Sequence, residues 1–267
     1  MIVIKLGGSI LGSGVSPTIL EDVQSKASSG LIIVHGGGDE VTEVAEKLGK
    51  QQKFIVSPEG IRSRYTDKET VEIYTMVMAG KLNKQIVATL QSRGIPAIGL
   101  SGIDASILKA KRKKKLIIVD ERGRKRIVEG GFTGKIDSVN TEILKSLLEK
   151  GYTPVISPIA IGEEYEFLNV DGDRAAAYVA GALKAEKLVF LTDVQGVWLG
   201  DQFVERLPVA EAKRMLQQIG AGMDKKVIAS IEAVEMGVGE AVISSGLVDY
   251  PISSATDHKV GTVIASG

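Results

Sequence analysis

Two short strings near the N-terminus combine glycines with a basic or imidazole side chain at the end of an apolar run. Lys5-Leu6-Gly7-Gly8-Ser9 follows Ile2–Ile4, and His35-Gly36-Gly37-Gly38 follows Leu31–Val34. Glycine lets backbone N–H groups approach an anion closely, and a lysine at a strand end adds fixed positive charge. Both strings therefore suit phosphate oxygens or a carboxylate. A third string, Arg62-Ser63-Arg64-Tyr65-Thr66-Asp67, sets two guanidinium groups before a helical pattern that Thr66 or Asp67 can cap. That arrangement suits a carboxylate or phosphate clamp.

Alternating elements must position these strings. Ile2–Ile4 and Leu31–Val34 read as buried strands, each followed by a glycine loop and a helix: Pro17–Ser29, capped by Ser16, and a second reaching about Leu48. Gln51–Gly60 is polar and turn-rich, and a long helical pattern runs to about Ser92. Further strands are expected at Ala97–Leu100, Thr153–Ser157, Leu188–Leu191, Ala241–Ser244 and Gly261–Ile264, with Glu163–Phe167 as a hairpin arm. Helices are expected at Glu142–Lys150, Ala175–Lys184, Pro208–Ile219 and Asp224–Met236. This alternation predicts an α/β fold with a mostly parallel, open central sheet and helices on both faces. In such sheets ligands sit at the carboxyl ends of strands, where the glycine loops fall.

Lys and Arg number 33, as do Asp and Glu, so any attraction for a polyanion must be local. It is concentrated in residues 109–126, where ten basic residues face only Asp120 and Glu121, a net +8. Leu116–Val119 reads as a strand and Asp120–Gly123 as a turn, giving a basic hairpin over residues 106–128 suited to an acidic partner. It lacks interleaved aromatics for base stacking, which argues against nucleic acid and against a non-catalytic nucleic-acid-binding protein. The chain has no cysteine, and its two histidines are isolated, so a zinc site is not expected. No Walker A string, full G-x-G-x-x-G or G-x-S-x-G occurs; Glu129–Ile136 only imitates the first. No apolar run approaches the roughly 20 residues that span a membrane, and no leader is evident, so a cytoplasmic protein is expected.

Taken in order, Lys5-Leu-Gly-Gly-Ser, His35-Gly-Gly-Gly, Arg64-Tyr-Thr-Asp, Asn169-Val-Asp-Gly-Asp173, Thr192-Asp-Val-Gln-Gly and Gly222-Met-Asp-Lys-Lys226-Val resemble the amino acid kinase superfamily over essentially the whole chain. Within it the N-acetylglutamate kinases and their relatives with carrier-bound substrates are most similar. The resemblance implies a two-lobed fold, with an acyl-substrate lobe over residues 1–170 and a nucleotide lobe over 171–267. It implies transfer of the γ-phosphoryl group of ATP to a side-chain carboxylate, with Mg²⁺ carried on the nucleotide phosphates and no metal ligand from the protein. Lys5, Lys226 and Asp173 are the implied catalytic residues. Gly36, Gly37, Arg64 and Asn169 would bind acyl substrate. Gly7, Gly8, Ser9, Thr192, Asp193, Gly196 and Gly222 would bind nucleotide. Two positions depart from the family's pattern: Lys225 stands where a proline is usual, and Asp171 where asparagine is common.

In one branch of the family the amino group of 2-aminoadipate or glutamate is protected by linkage to the C-terminus of LysW, a small acidic carrier protein. The basic hairpin resembles a dock for such a carrier, through Lys111, Arg112, Lys113, Lys114, Lys115, Arg124, Lys125 and Arg126. The expected reaction is therefore phosphorylation of LysW-bound 2-aminoadipate, with LysW-bound glutamate as a second acceptor, in lysine and arginine biosynthesis. Free N-acetylglutamate is the alternative acceptor. The resemblance further implies a homodimer. The hexamer-forming N-terminal helix of arginine-inhibited relatives is not evident, so neither that hexamer nor arginine inhibition is expected.

Overall fold

The computed structural model describes residues 1–11 and 14–267. Its centre is an eight-stranded sheet in the order Arg206–Pro208, Thr262–Ala265, Glu240–Ser245, Lys187–Thr192, Ile2–Leu6, Leu31–His35, Thr153–Ser157, Ala97–Ser101. The last six in that order run parallel; Thr262–Ala265 pairs antiparallel with Glu240–Ser245, and Arg206–Pro208 follows it.

Strand alternation divides the core. Val3, Ile32, Val34 and Phe190 face the helices Gly172–Leu183 and Met223–Glu235, while Ile4, Leu6, Ile33 and Val189 face Pro17–Lys26 and Pro251–Thr256. Covered on both faces, these strands read as unbroken apolar runs. Gly172–Leu183 carries Ala175, Ala176, Ala177 and Ala180, all wholly buried. Small side chains let this helix lie against the sheet and against Met223–Glu235 at once, which brings both helix N-termini to the carboxyl end of the first strand. That strand pairs with Leu31–His35 on one side and Lys187–Thr192 on the other. The chain departs in opposite directions on the two sides, which opens a crevice there.

Above the crevice lie a four-stranded sheet (Phe167–Asn169, Ile159–Ile161, Leu108–Arg112, Gly134–Val139) and two hairpins, Lys53–Val56 with Arg62–Tyr65 and Lys115–Val119 with Lys125–Glu129. The polar stretch after Gln51 thus contains a strand. The basic segment is not one hairpin over 106–128: Leu108–Arg112 belongs to the four-stranded sheet, and the hairpin proper begins at Lys115. Alternating burial along Leu108–Arg112, with Leu108 and Ala110 inward, commits that strand to the larger sheet. Glu163–Glu166 forms the turn between Ile159–Ile161 and Phe167–Asn169, so only Phe167 of the expected arm is in a strand. The long helical pattern from Lys68 to Gln91 is interrupted by a π-helical stretch, Met76–Leu82.

Candidate active site

Lys5 is the next-to-last residue of the first strand, and Asp173 lies in the first turn of the helix Gly172–Leu183. Both are buried, at 7% and 6% exposure. Asp173 Oδ1 stands 2.8 Å from Lys5 Nζ as an ion pair without an aligned hydrogen bond, and Lys226 Nζ donates to Oδ2 at 3.3 Å. Burial opposes the charge on Asp173, yet the two ammonium groups outweigh it and hold its carboxyl below the usual carboxylate range. Two cations share one anion, so the cluster keeps a net positive charge aimed into the crevice. Lys226 lies in the first turns of Met223–Glu235, beyond Gly222 at φ 90°. Lys225 instead donates to the Arg62 carbonyl at 2.7 Å, so the two adjacent lysines have separate partners. Asp171 caps its helix by accepting from the Asp173 and Arg174 amides, each at 3.0 Å; aspartate caps as asparagine would.

The two glycine loops interlock beside Lys5. A Cβ on Gly8 would lie 3.1 Å from the Gly37 nitrogen, and one on Gly36 would lie 3.0 Å from the Gly8 nitrogen and 3.5 Å from Lys5 Nζ. The backbones of Gly8 and Gly36–Gly38 thus pack against each other next to the Lys5 ammonium group. The Gly7 and Gly36 amides are not free: they donate to Leu191 O at 3.0 Å and Leu6 O at 2.8 Å. Gly37 sits at φ 142°, and a Cβ there would collide with Leu82 at the end of the π-helical stretch. His35 is wholly buried behind the loop. Its Nδ1 contacts the Gly36 carbonyl at 2.9 Å, and its Nε2 contacts Asn83 Nδ2 at 3.3 Å. Donation from Nδ1 and acceptance at Nε2 describe a neutral ring; burial lowers its pKa to about 4.

Arg64 and Asn169 line one cavity of about 360 Å³ with Lys113, Thr133, Asp171, Arg174 and Lys225. This volume suits a small ligand. Arg64 is anchored through Nη2 to Gly38 O at 2.7 Å and Thr42 Oγ1 at 2.9 Å, and through Nη1 to Gln52. It ties the Arg62–Tyr65 strand to the glycine loop. Asn169 donates to the buried Thr66 hydroxyl at 3.0 Å. The cavity wall continues through Val170 and Asp171 to Gly172, where a Cβ would lie 3.7 Å from Lys5 Cε.

On the other side of the first strand, Gly7 abuts Thr192: a Cβ there would lie 3.8 Å from Thr192 Cα. Thr192 Oγ1 donates to Asp193 Oδ1 at 2.9 Å. Gly196, at φ 158°, packs against Thr262 where the hairpin Val197–Val204 begins. Ser9 is exposed in the middle of the single turn Gly8–Ile10, and the Gly222 amide donates to Asp224 at 2.7 Å.

The eight basic docking candidates do not form one free surface. Lys111 pairs with Asp137 at 3.0 Å, Arg112 donates to Gly131 O at 2.6 Å, and Lys114 stands 3.6 Å from Glu164. Arg124 and Arg126 both reach Asp120, while Lys113 turns into the cavity. Lys115 and Lys125 remain exposed without an ion pair among the described residues. The sequence offered Thr66 only as a helix cap, a role Asp67 takes, and gave no sign of Asn83, Thr133 and Arg174; a lone threonine or asparagine carries no local signal, and only the tertiary contacts give these a place.

A family model described as the amino acid kinase family matches residues 1–245. The chain belongs to that family. It is 57% identical over 265 residues to a protein of Nitrosopumilus maritimus, covering 99% of each chain. It is 45% identical over 268 residues to a protein of Saccharolobus solfataricus, covering 100% of each. The latter is named a LysW-aminoadipate/LysW-glutamate kinase, and the former bears the same name provisionally. Among solved structures, a Streptococcus mutans protein superposes with a TM-score of 0.80 at 24% identity, covering 100% of this chain and 98% of that one. At that identity the likeness establishes the fold.

Proposed function

We propose that this chain is an ATP-dependent kinase that phosphorylates the side-chain carboxylate of 2-aminoadipate, and of glutamate, carried through its amino group on the acidic protein LysW. One observation carries the chemistry: buried Lys5 and Asp173 meet the half-buried Lys226 beside a cation-lined cavity, whose wall includes their sequence neighbours Asp171, Arg174 and Lys225. The names of the full-length relatives support the acceptor.

The acceptor carboxylate is ionised near neutral pH and needs no general base. One of its oxygens attacks the γ-phosphorus of ATP; the bond to the β,γ-bridging oxygen breaks, ADP departs, and an acyl phosphate remains. Such transfer depends on in-line positioning and on charge around the moving group. Lys5 serves the phosphoryl group in flight, Lys226 the leaving side, and Asp173 orients both. The Gly8 and Gly37 amides face the anion, whereas Gly7 and Gly36 act by permitting close approach. Arg64 and Asn169 serve the substrate's non-reacting carboxylate and amide. Ser9, Thr192, Asp193, Gly196 and Gly222 serve the nucleotide. Among the described residues no cluster of three or more acidic or histidine side chains could cage a metal ion. Mg²⁺ would be carried on the nucleotide phosphates, where it would neutralise charge.

The acyl-substrate half is assigned to residues 1–170 and the nucleotide half to 171–267. The enzyme serves lysine and arginine biosynthesis in the cytoplasm as a homodimer. The strand Ala97–Ser101, at the end of the sheet, supports pairing through the first half. Among the described residues no helix is long and apolar enough to cross a membrane.

Hydroxylamine trapping tests the reaction type. With a carboxylate acceptor and ATP, hydroxamate should form in step with ADP. ADP release with a stable phosphate ester and no hydroxamate would contradict the proposal.

A further inference from the structure

Two side chains at the cavity have no partner among the described residues. Thr133 Oγ1 is buried and makes no hydrogen bond among the described residues, and Thr133 is one of the residues that line the cavity. Its residue bridges directly to Asn169, so the hydroxyl belongs to the wall that carries the amide of that side chain. Leaving a buried hydroxyl unpaired costs free energy that a ligand can recover. Lys113 is half-buried in the same cavity, with neither an ion pair nor a side-chain hydrogen bond among the described residues. Its backbone donates to Thr133 O at 2.9 Å, which fixes the two residues side by side.

The other cations nearby are engaged. Arg64 is held by Gly38, Thr42 and Gln52; Arg174 pairs with Glu232 at 2.8 Å; Lys225 donates to Arg62 O. Lys135 is the exception, without an ion pair among the described residues, but it is exposed. Lys113 is therefore the half-buried cation in the wall that an incoming anion can neutralise. Burial and the neighbouring Arg174 lower its pKa, with Asp171 opposing, so an anionic partner would stabilise its charged form.

The reacting carboxylate must reach Lys5, which lies against Gly172, the residue after the cavity-lining Asp171. Whatever is attached to the substrate's amino nitrogen then has the cavity to occupy, and Thr133 and Lys113 are in its wall. We propose that Thr133 and Lys113 form a subsite for that attached group: the Thr133 hydroxyl bonds the linking amide, and Lys113 pairs with a carboxylate of an acidic peptide tail. This rests on the carrier-linked reading of the substrate and adds where the tail is recognised. It moves Lys113 from an outer docking surface into the substrate cavity.

The test uses the full-length enzyme with aminoadipate linked to LysW, and with aminoadipate linked to two short peptides, one with an acidic tail and one with the matching amide tail. Wild type should prefer the acidic tail. In Lys113→Met the ratio of kcat/KM for acidic over neutral tail should fall about tenfold or more, mainly through KM, and Lys113→Arg should restore much of it. Thr133→Val should raise KM for both peptides, with Thr133→Ser recovering it. An unchanged acidic-to-neutral ratio in Lys113→Met, with wild type active on both peptides, would overturn the subsite alone. Turnover of free N-acetylglutamate by wild type, with none of any peptide- or LysW-linked acid, would overturn both the subsite and the carrier-linked reading.

Discussion

Asp173 stands 2.8 Å from Lys5, the first held in a helix's opening turn and the second at the end of the central strand, and both are almost fully buried. Neither is positioned by a neighbour in sequence; the alanine-packed helix and the first strand bring them together. Replacing Lys5 with Ala should lower kcat by about 10²–10³, and Lys226→Ala should act in the same direction. Asp173→Ala should also destabilise the fold by about 3–5 kcal/mol, because it leaves buried ammonium charge uncompensated. Steady-state kinetics and denaturant unfolding of the three variants would check this.

Arg64 joins a strand of one hairpin to the glycine loop through hydrogen bonds to Gly38 and Thr42. A lysine reproduces the charge but not the fork. Arg64→Lys should raise KM for the acyl acceptor about 10- to 100-fold, with a smaller change in KM for ATP. Equal effects on both substrates would show a general loss of structure instead.

Gly37 lies at φ 142° against Leu82. Gly37→Ala therefore meets both backbone strain and a collision, and should cost more than about 1 kcal/mol while weakening acceptor binding. Pairing it with Leu82→Ala should relieve the collision but not the strain, so recovery should be partial. Thermal melting of the single and double variants measures both contributions.

His35 should give acid sensitivity. Burial lowers its folded-state pKa to about 4, from 6.5. The unfolded chain therefore binds a proton that the folded chain refuses, and stability present above pH 6.5 is lost as pH falls toward 4. The shift corresponds to roughly 3 kcal/mol across that window. Asp173, also lowered, loses its own contribution at the acid end. His35→Gln should flatten the pH dependence of Tm between 6.5 and 4, without removing the further loss below.

The parallel sheet was legible because buried strands leave unbroken apolar runs and glycine loops follow them. Lys5, Lys226 and Asp173 were legible only as parts of an ordered set of motifs, since each alone is an unremarkable surface residue type. The basic segment was legible only in part: charge density marks residues that avoid the core, but it does not show that Lys111, Arg124 and Arg126 find acidic partners within the fold. Nor does it show that burial alternation places Leu108–Arg112 in a different sheet from the hairpin. Thr133 and Asn83 left no trace in the sequence, because their significance is a long-range contact or the lack of one.

ATP turnover with free N-acetylglutamate, set against turnover with aminoadipate and glutamate linked to LysW at low and at high salt, tests the central claim most directly. Turnover confined to the LysW-linked acids, and weakening as salt screens the basic surface, is the predicted result. Equal or faster turnover of free N-acetylglutamate, indifferent to salt, would contradict the account and make the exposed lysines of the hairpin an ordinary solvated surface.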